Sequence, residues 1–222
     1  MSTQPPTQDE ENIFIEQAEY IRPDELLRWV RTHPREKSIL KKISSAGAKL
    51  IVGPRGCGKT TLLLKSYFDL NKPQSPILPI YVNYKTSLKI EPLFKTSVNA
   101  SFWFDRWLIL KVYIGLHESL KDRGEQSIAP SISVTNAHFV IAALESGDIA
   151  DAEKHCKTIS VAGLQDEIAN ILDAISASRA ILLLDDAAHA FSFAQQRGFF
   201  DFFREVKTRY IAPKAAVYPG VT

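Results

Sequence analysis

Short, mostly apolar runs along the chain are separated by longer segments in which apolar residues recur at helical spacing. Four such runs predict strands, and they are centred on residues 49–52, 80–84, 180–184 and 215–222. The run at 180–184 is continuously apolar and ends in two aspartates, which is typical of a strand buried on both faces of a parallel sheet. The intervening segments predict helices, among them 61–70, 100–123, 191–210 and a helix-rich stretch at 131–178.

This alternation of strands and helices predicts an α/β fold with a parallel, doubly wound sheet, in which ligands bind beside the carboxyl ends of the strands. The first 11 residues are polar and acidic, which predicts a disordered tail. We expect one domain over residues 12–222, with a helical insertion at about 97–178. Trp103 and Trp107 lie four residues apart on the long predicted helix, and we expect them to pack in the core rather than to stack on nucleobases.

Composition narrows the class of protein. Of the 222 residues, 45% are hydrophobic and 23% are charged, which are ordinary values for a globular protein. The net charge of +2 gives no electrostatic reason to expect nucleic acid or an anionic membrane as the main partner. The N-terminal residues lack the pattern of a secretory signal, and no apolar run approaches the roughly 18 residues that span a bilayer. Cys57 and Cys156 form no metal-type spacing.

A phosphate-binding motif follows the first predicted strand. Gly53, Gly58, Lys59 and Thr60 occupy the fixed positions of the P-loop pattern G-x-x-x-x-G-K-[ST]. Glycines let such a loop turn tightly and aim its main-chain N–H groups at an anion, and the next helix adds the positive end of its dipole. We expect Lys59 to reach the β- and γ-phosphates and the Thr60 hydroxyl to bind Mg²⁺.

The predicted nucleotide contacts of this loop are Gly53, Pro54, Arg55, Gly56, Cys57, Gly58, Lys59, Thr60 and Thr61. Arg55 either faces solvent or contacts a partner. Cys57 is interpreted as a tolerated small residue, with a reactive thiol as the alternative. Because a disulfide at Cys57 would obstruct the phosphate, we expect a reducing, cytoplasmic environment.

A second motif ends the third predicted strand. Asp185 and Asp186 follow four hydrophobic residues, which matches the Walker B pattern. Asp185 would hold Mg²⁺, usually through water, and Asp186 would orient or deprotonate the attacking water. The alternative is a strand end with two solvated acids, or a helix cap. Beside a P-loop, we favour the Walker B interpretation.

Together, the segments LIVGPRGCGKTTLLL, ILLLDDAAHAF and AAVYPGVT resemble the AAA+ and STAND group of P-loop ATPases. The closer likeness is to bacterial ATPases related to the origin-recognition and cell-division-cycle initiator proteins, and it covers nearly the whole chain. The resemblance implies a three-layer α/β/α P-loop NTPase fold with ATP and Mg²⁺ as cofactors. It implies Lys59 as the phosphate lysine, Thr60 and Asp185 as magnesium residues, Asp186 as the catalytic acid and Thr222 as the first sensor. A frayed C terminus is the alternative for Thr222.

The sequence departs from this family after its last predicted strand. Family members have the strand order 5-1-4-3-2 and continue into a fifth strand and a helical lid, whereas this sequence ends before both. We therefore expect a C-terminally truncated domain with the order 1-4-3-2 and the P-loop strand at the sheet edge. Since an open edge invites pairing, we expect self-association or a protein partner that covers it.

Two functions are compatible with these motifs. The first is an ATP-dependent switch that hydrolyses ATP slowly and depends on assembly, because an arginine finger supplied in trans typically accelerates hydrolysis by about 10³–10⁵-fold. The second is a non-hydrolysing nucleotide-binding scaffold, or a truncated remnant of a larger ATPase. We favour the first. No guanine-reading Asn-Lys-x-Asp motif occurs, which favours ATP over GTP.

Overall fold

The computed structural model describes residues 34–156, 159–186 and 192–218. Four strands in these ranges form one parallel sheet: β1 (Lys49–Val52), β2 (Ile77–Asn83), β3 (Arg179–Asp185) and β4 (Ile211–Val217). The strand order is β1-β4-β3-β2, so the predicted α/β class, the parallel sheet and the order 1-4-3-2 are confirmed. Strand β1 has the predicted bounds.

Eight α-helices and one 3₁₀ helix, at Lys85–Ile90, connect the strands within the described residues. The α-helices are α1 (Pro34–Ile43), α2 (Lys59–Leu70), α3 (Glu91–Thr96), α4 (Ala100–Arg123), α5 (Val134–Ser146), α6 (Ile149–Cys156), α7 (Val161–Ala174) and α8 (Phe193–Glu205). None of these described helices combines the length and the apolar character that crossing a bilayer requires. The disordered tail predicted at the N terminus lies outside the described residues.

Neighbouring residues of each strand point to opposite sides of the sheet. Helices cover both faces, so the strand residues pack in two separate clusters. On one face, Ile181 and Leu183 of β3 pack in a cluster with Leu63 and Tyr67 of α2. On the other face, Leu182 belongs to a larger cluster that is filled by α4, α5, α7 and α8. Trp103 and Trp107 lie in that larger cluster, which confirms that they are core residues.

Strand β4 begins four residues before its predicted start. The predicted start is wrong because Pro213 and Lys214 are unusual residues for a central strand. Pro213 precedes the first residue pair between β4 and β1, which is Lys214 with Lys49. Lys214 is fully buried, and its Nζ donates hydrogen bonds to the carbonyl oxygens of Ser45, at 2.7 Å, and Gly47. The lysine therefore satisfies main-chain carbonyls in the segment between α1 and β1.

Burial lowers the pKa of Lys214 to about 7, and the positive charges of Lys49 and Arg179 act in the same direction. The unfolded chain, in which a lysine has a pKa of about 10.4, therefore binds more protons than the folded chain between pH 7 and pH 10. We expect the free energy of unfolding to rise with pH over this range, by at most about 1.4 kcal/mol per pH unit from this group. Urea unfolding at several pH values, compared between wild type, Lys214→Met and the exposed-site control Lys72→Met, measures it. A slope that survives unchanged in Lys214→Met would contradict the assignment.

Helix α4 closes the outer edge of β2, the strand at one end of the sheet. Arg123 donates to the carbonyl oxygens of Ile77, at 3.1 Å, and Ser75, at 2.6 Å, while the Ser119 hydroxyl donates to that of Pro79 at 2.5 Å. One turn further back, a Cβ atom added to Gly115 would overlap the carbonyl oxygen of Tyr81. We call Gly115, Ser119 and Arg123 the edge stripe. Their spacing of four places them on one face of α4, which lies directly against the main chain of β2.

We expect Gly115→Ala to lower the free energy of unfolding by about 2 kcal/mol, because the added methyl group forces α4 away from β2. In an ordinary helix the same substitution stabilises by about 0.5–1 kcal/mol, so the sign of the effect is diagnostic. Gly163→Ala on α7 is the matched control, since the added Cβ would contact only the Ser160 hydroxyl, at 3.3 Å. Urea unfolding of both variants tests this, and a stabilised Gly115→Ala would contradict the close approach of α4.

Candidate functional site

Three chain segments meet at the carboxyl edge of the sheet. The loop of residues 53–58 follows β1, the pair Asp185 and Asp186 ends β3, and Tyr218 follows β4. Because β4 lies between β1 and β3, Tyr218 emerges between the loop and the two aspartates. The parallel direction of all the strands brings these residues together although they are far apart in sequence.

The loop between β1 and α2 turns through glycines with positive φ. Gly56 has φ 78° and Gly58 has φ 85°, a left-handed conformation that favours glycine. Gly58 is the N-cap residue of α2 and makes no side-chain cap hydrogen bond. At the start of the loop, the Gly53 N–H donates to the carbonyl oxygen of Val217, at 3.3 Å, which joins the loop to the end of β4. The loop thus leads directly into the positive end of the α2 dipole.

Lys59, the first residue of α2, folds back over the loop. Its Nζ donates hydrogen bonds to the carbonyl oxygens of Gly53, at 2.7 Å, and Pro54, at 2.8 Å. The same Nζ lies 3.7 Å from the centre of the Tyr218 ring, a distance that gives a cation–π interaction. The side chain is only 6% exposed, so the ammonium group is held within the loop.

Asp185 is almost fully buried beneath the loop and receives several hydrogen bonds. Its Oδ2 accepts from the Tyr81 hydroxyl at 2.9 Å, and its Oδ1 accepts from the Asp186 N–H at 3.0 Å. The Thr60 side chain lies close enough to the same carboxyl group to lower its pKa. Burial raises the pKa of Asp185, the nearby Thr60 side chain lowers it, and the negative charge of Asp186 raises it further. The two residues predicted to serve magnesium therefore lie close together.

Asp186 stands at the exit of β3 in a left-handed conformation, with φ 50°. This conformation is uncommon for a residue with a side chain, and such residues cluster at functional sites. The carboxylate is half-buried, and its Oδ1 lies 3.4 Å from the Tyr218 hydroxyl, which donates to it. The side chain of Asp185 thus lies beneath the loop, whereas that of Asp186 points towards the end of β4.

The remaining predicted residues are placed as follows. Pro54, Arg55, Gly56 and Cys57 are exposed on the loop, and Thr61 is half-buried on the first turn of α2. The Cys57 Sγ is 3.8 Å from the Lys59 Nζ. Thr222, the predicted sensor, lies outside the described residues.

Two tyrosines of the site were not predicted. The ring of Tyr81, on β2, packs near the ring of Tyr67 of α2. The Tyr81 hydroxyl orients the buried Asp185 carboxyl group. Tyr81 is in register with Leu183 of β3, and Asp185 lies two residues after Leu183 on the same face of the sheet. The sequence alone does not give this register, so it could not pair Tyr81 with Asp185. Tyr218 lies within the run predicted as the last strand, and its place in the site depends on the end of β4 at Val217.

The oxygen atoms of Thr60 and Asp185 suit a hard cation such as Mg²⁺, which commonly takes one or two protein oxygens and completes its shell with water and phosphate. In the part of the chain that the structure describes, no cluster of three or more His, Cys, Asp or Glu side chains could hold a metal by itself. A metal at this site would therefore depend on other ligands, such as phosphate oxygens. A separate cavity of about 460 Å³ is lined by residues of α4, of the segment after it and of the start of α5, none of which belongs to the loop.

Comparison with known proteins adds no relative to this description: no protein-family model, no curated protein and no solved structure matches the chain.

Proposed function

We propose that this chain is a P-loop ATPase domain that binds Mg-ATP at the carboxyl ends of β1, β3 and β4. The observation that supports this most strongly is the proximity of the Thr60 side chain to the buried Asp185 carboxyl group. One residue comes from a phosphate-binding sequence pattern and the other from the end of a distant buried strand. Their meeting at the start of a helix, beneath a glycine loop, is the arrangement that the pattern requires.

Each residue has a role in this proposal. The loop N–H groups and the first turn of α2 bind phosphate oxygens, and Lys59 adds a positive charge. Thr60 and Asp185 would hold Mg²⁺, which neutralises charge on the phosphates when it is bound. Tyr81 keeps the Asp185 carboxylate in place, and Asp186 orients the attacking water.

The family resemblance supplies the finer part of the proposal. The domain acts as an ATP-dependent switch, and it hydrolyses ATP slowly unless assembly supplies an arginine in trans. The second candidate is a nucleotide-binding scaffold that does not hydrolyse ATP. The contact between Tyr218 and Asp186 favours this candidate, because the tyrosine hydroxyl occupies a carboxylate oxygen that the attacking water would otherwise contact.

Turnover of ATP at increasing protein concentration tests the first candidate. We expect phosphate release that rises more than linearly with concentration and falls at least about 10-fold in Asp186→Asn, because the variant retains binding but loses the base. Lys59→Ala should weaken both ATP binding and turnover. Asp173→Asn, an exposed aspartate on α7, is the matched control and should behave as wild type.

Two results would redirect the proposal. ATP binding without phosphate release at any concentration would favour the scaffold. Absence of ATP binding in the wild-type protein, measured by calorimetry with Mg²⁺ present, would remove the ATPase proposal altogether.

We further propose that a second copy of this chain covers the free edge of β1. Among the described residues β1 pairs with β4 alone, and its side chains Leu50 and Val52 are 47% and 60% exposed. The β2 edge is closed by the edge stripe, whereas β1 presents both apolar side chains and an open ladder. Two β1 strands related by a two-fold axis can pair antiparallel and bury these side chains against each other.

We expect the weight-average sedimentation coefficient of the wild-type protein to rise with concentration and that of Leu50→Lys to stay at the monomer value, because a charge on the shared edge opposes pairing. Val98→Lys is the control, since Val98 is fully exposed in the turn between α3 and α4. A wild-type protein that sediments as a monomer at every concentration would exclude the second copy as the occupant.

A further inference from the structure

Tyr218 is the one side chain described above that contacts both the phosphate lysine and the second aspartate. Its ring centre lies 3.7 Å from Lys59 Nζ, and its hydroxyl donates to Asp186 Oδ1 at 3.4 Å. We propose that Tyr218 is a cover over Lys59 that Mg-ATP must displace, and that its displacement also releases Asp186. This inference rests on the proposed function for the identity of its ligand.

The surroundings of the Lys59 ammonium group support the cover. An ammonium group has three N–H donors, and two of them are directed to the carbonyl oxygens of Gly53 and Pro54. The Tyr218 ring occupies a further side of the group. A phosphate oxygen that pairs with Lys59 must come within about 2.7–2.9 Å of Nζ, so it competes with the ring and with the two carbonyls.

The hydroxyl end of Tyr218 extends the effect to Asp186. Burial raises the pKa of Tyr218, and the Asp186 charge acts in the same direction, so the hydroxyl stays protonated and donates to the carboxylate. Asp186 is held at φ 50° while it accepts this hydrogen bond. Removal of the ring from Lys59 also removes the donor from Asp186, and the lysine and the carboxylate become available in one movement.

Strand β4 links this movement to the loop. Tyr218 follows Val217 directly, and the Val217 carbonyl oxygen accepts the Gly53 N–H. A displacement of Tyr218 therefore acts on the main chain next to the first glycine of the loop. The cover competes with nucleotide and, through β4, changes the segment that holds the phosphates.

Two measurements on Tyr218→Ala and Tyr218→Phe test the inference. The first is the rate at which formaldehyde and a borane reductant methylate Lys59 without nucleotide, followed by peptide mass spectrometry and normalised to the exposed Lys72. The second is the Kd for Mg-ATP by calorimetry. Tyr210→Ala is the matched control, because Tyr210 directly precedes β4 at its amino end, whereas Tyr218 follows its carboxyl end. The melting temperature of each variant checks that it is folded.

The cover predicts that Tyr218→Ala raises the Lys59 methylation rate several-fold and tightens Mg-ATP binding by about 3- to 30-fold, since the competing ring is gone. Tyr218→Phe keeps the ring, so its methylation rate should stay close to that of wild type. Tyr210→Ala should change neither quantity.

The remaining outcomes separate the two proposals. An unchanged methylation rate in a folded Tyr218→Ala would overturn the cover. Faster methylation with weaker Mg-ATP binding would also overturn it and would make Tyr218 a nucleotide contact instead. Faster methylation with no Mg-ATP binding in any variant would support the cover over Lys59 and reject the ATPase proposal.

Discussion

The parallel pairing of β4 between β1 and β3 is the constraint on which the rest of this structure depends. It brings the exits of three strands to one edge, and each exit contributes a different kind of group. β1 leads into a glycine loop and a lysine, β3 ends in two aspartates, and β4 delivers an aromatic ring between them. None of these groups is near another in sequence, so a slip in the pairing of β4 would separate the loop from Asp185.

The elements with strong local signals were predictable. The glycine-lysine-threonine pattern located β1, the loop and the start of α2, and the continuous apolar run located β3. The start of β4 was missed because a buried lysine and a proline do not indicate a central strand; Lys214 fits only through carbonyls from the segment before β1. Tyr81 and Tyr218 were missed for a related reason, since their roles depend on partners supplied by the register and by the exit of β4. Thr222 stays a prediction.

The two ends of the sheet are treated differently. At β2, the edge stripe satisfies main-chain carbonyls and allows α4 to lie against the strand. Pro79 suits this position, because its missing N–H lies on the outer side, where no neighbouring strand requires it. At β1, the side chains of Leu50 and Val52 remain exposed, and β4 is the one described strand that pairs with it. If a second copy pairs with β1 as proposed, it would lie at the end of the sheet that carries the glycine loop, so assembly and the proposed nucleotide binding would occur close together.

The edge stripe also has a consequence for the order in which the chain folds. The edge stripe of α4 is about 40 residues from β2, whereas β3 is about a hundred residues from it, so closing the β2–α4 unit costs about 1 kcal/mol less loop entropy. Once α4 occupies one side of β2, a strand made later can join only on the other side. If the β2–α4 unit forms first, α4 leaves one side of β2 available for pairing, so the same helix that packs against the strand also limits the side on which the sheet can grow.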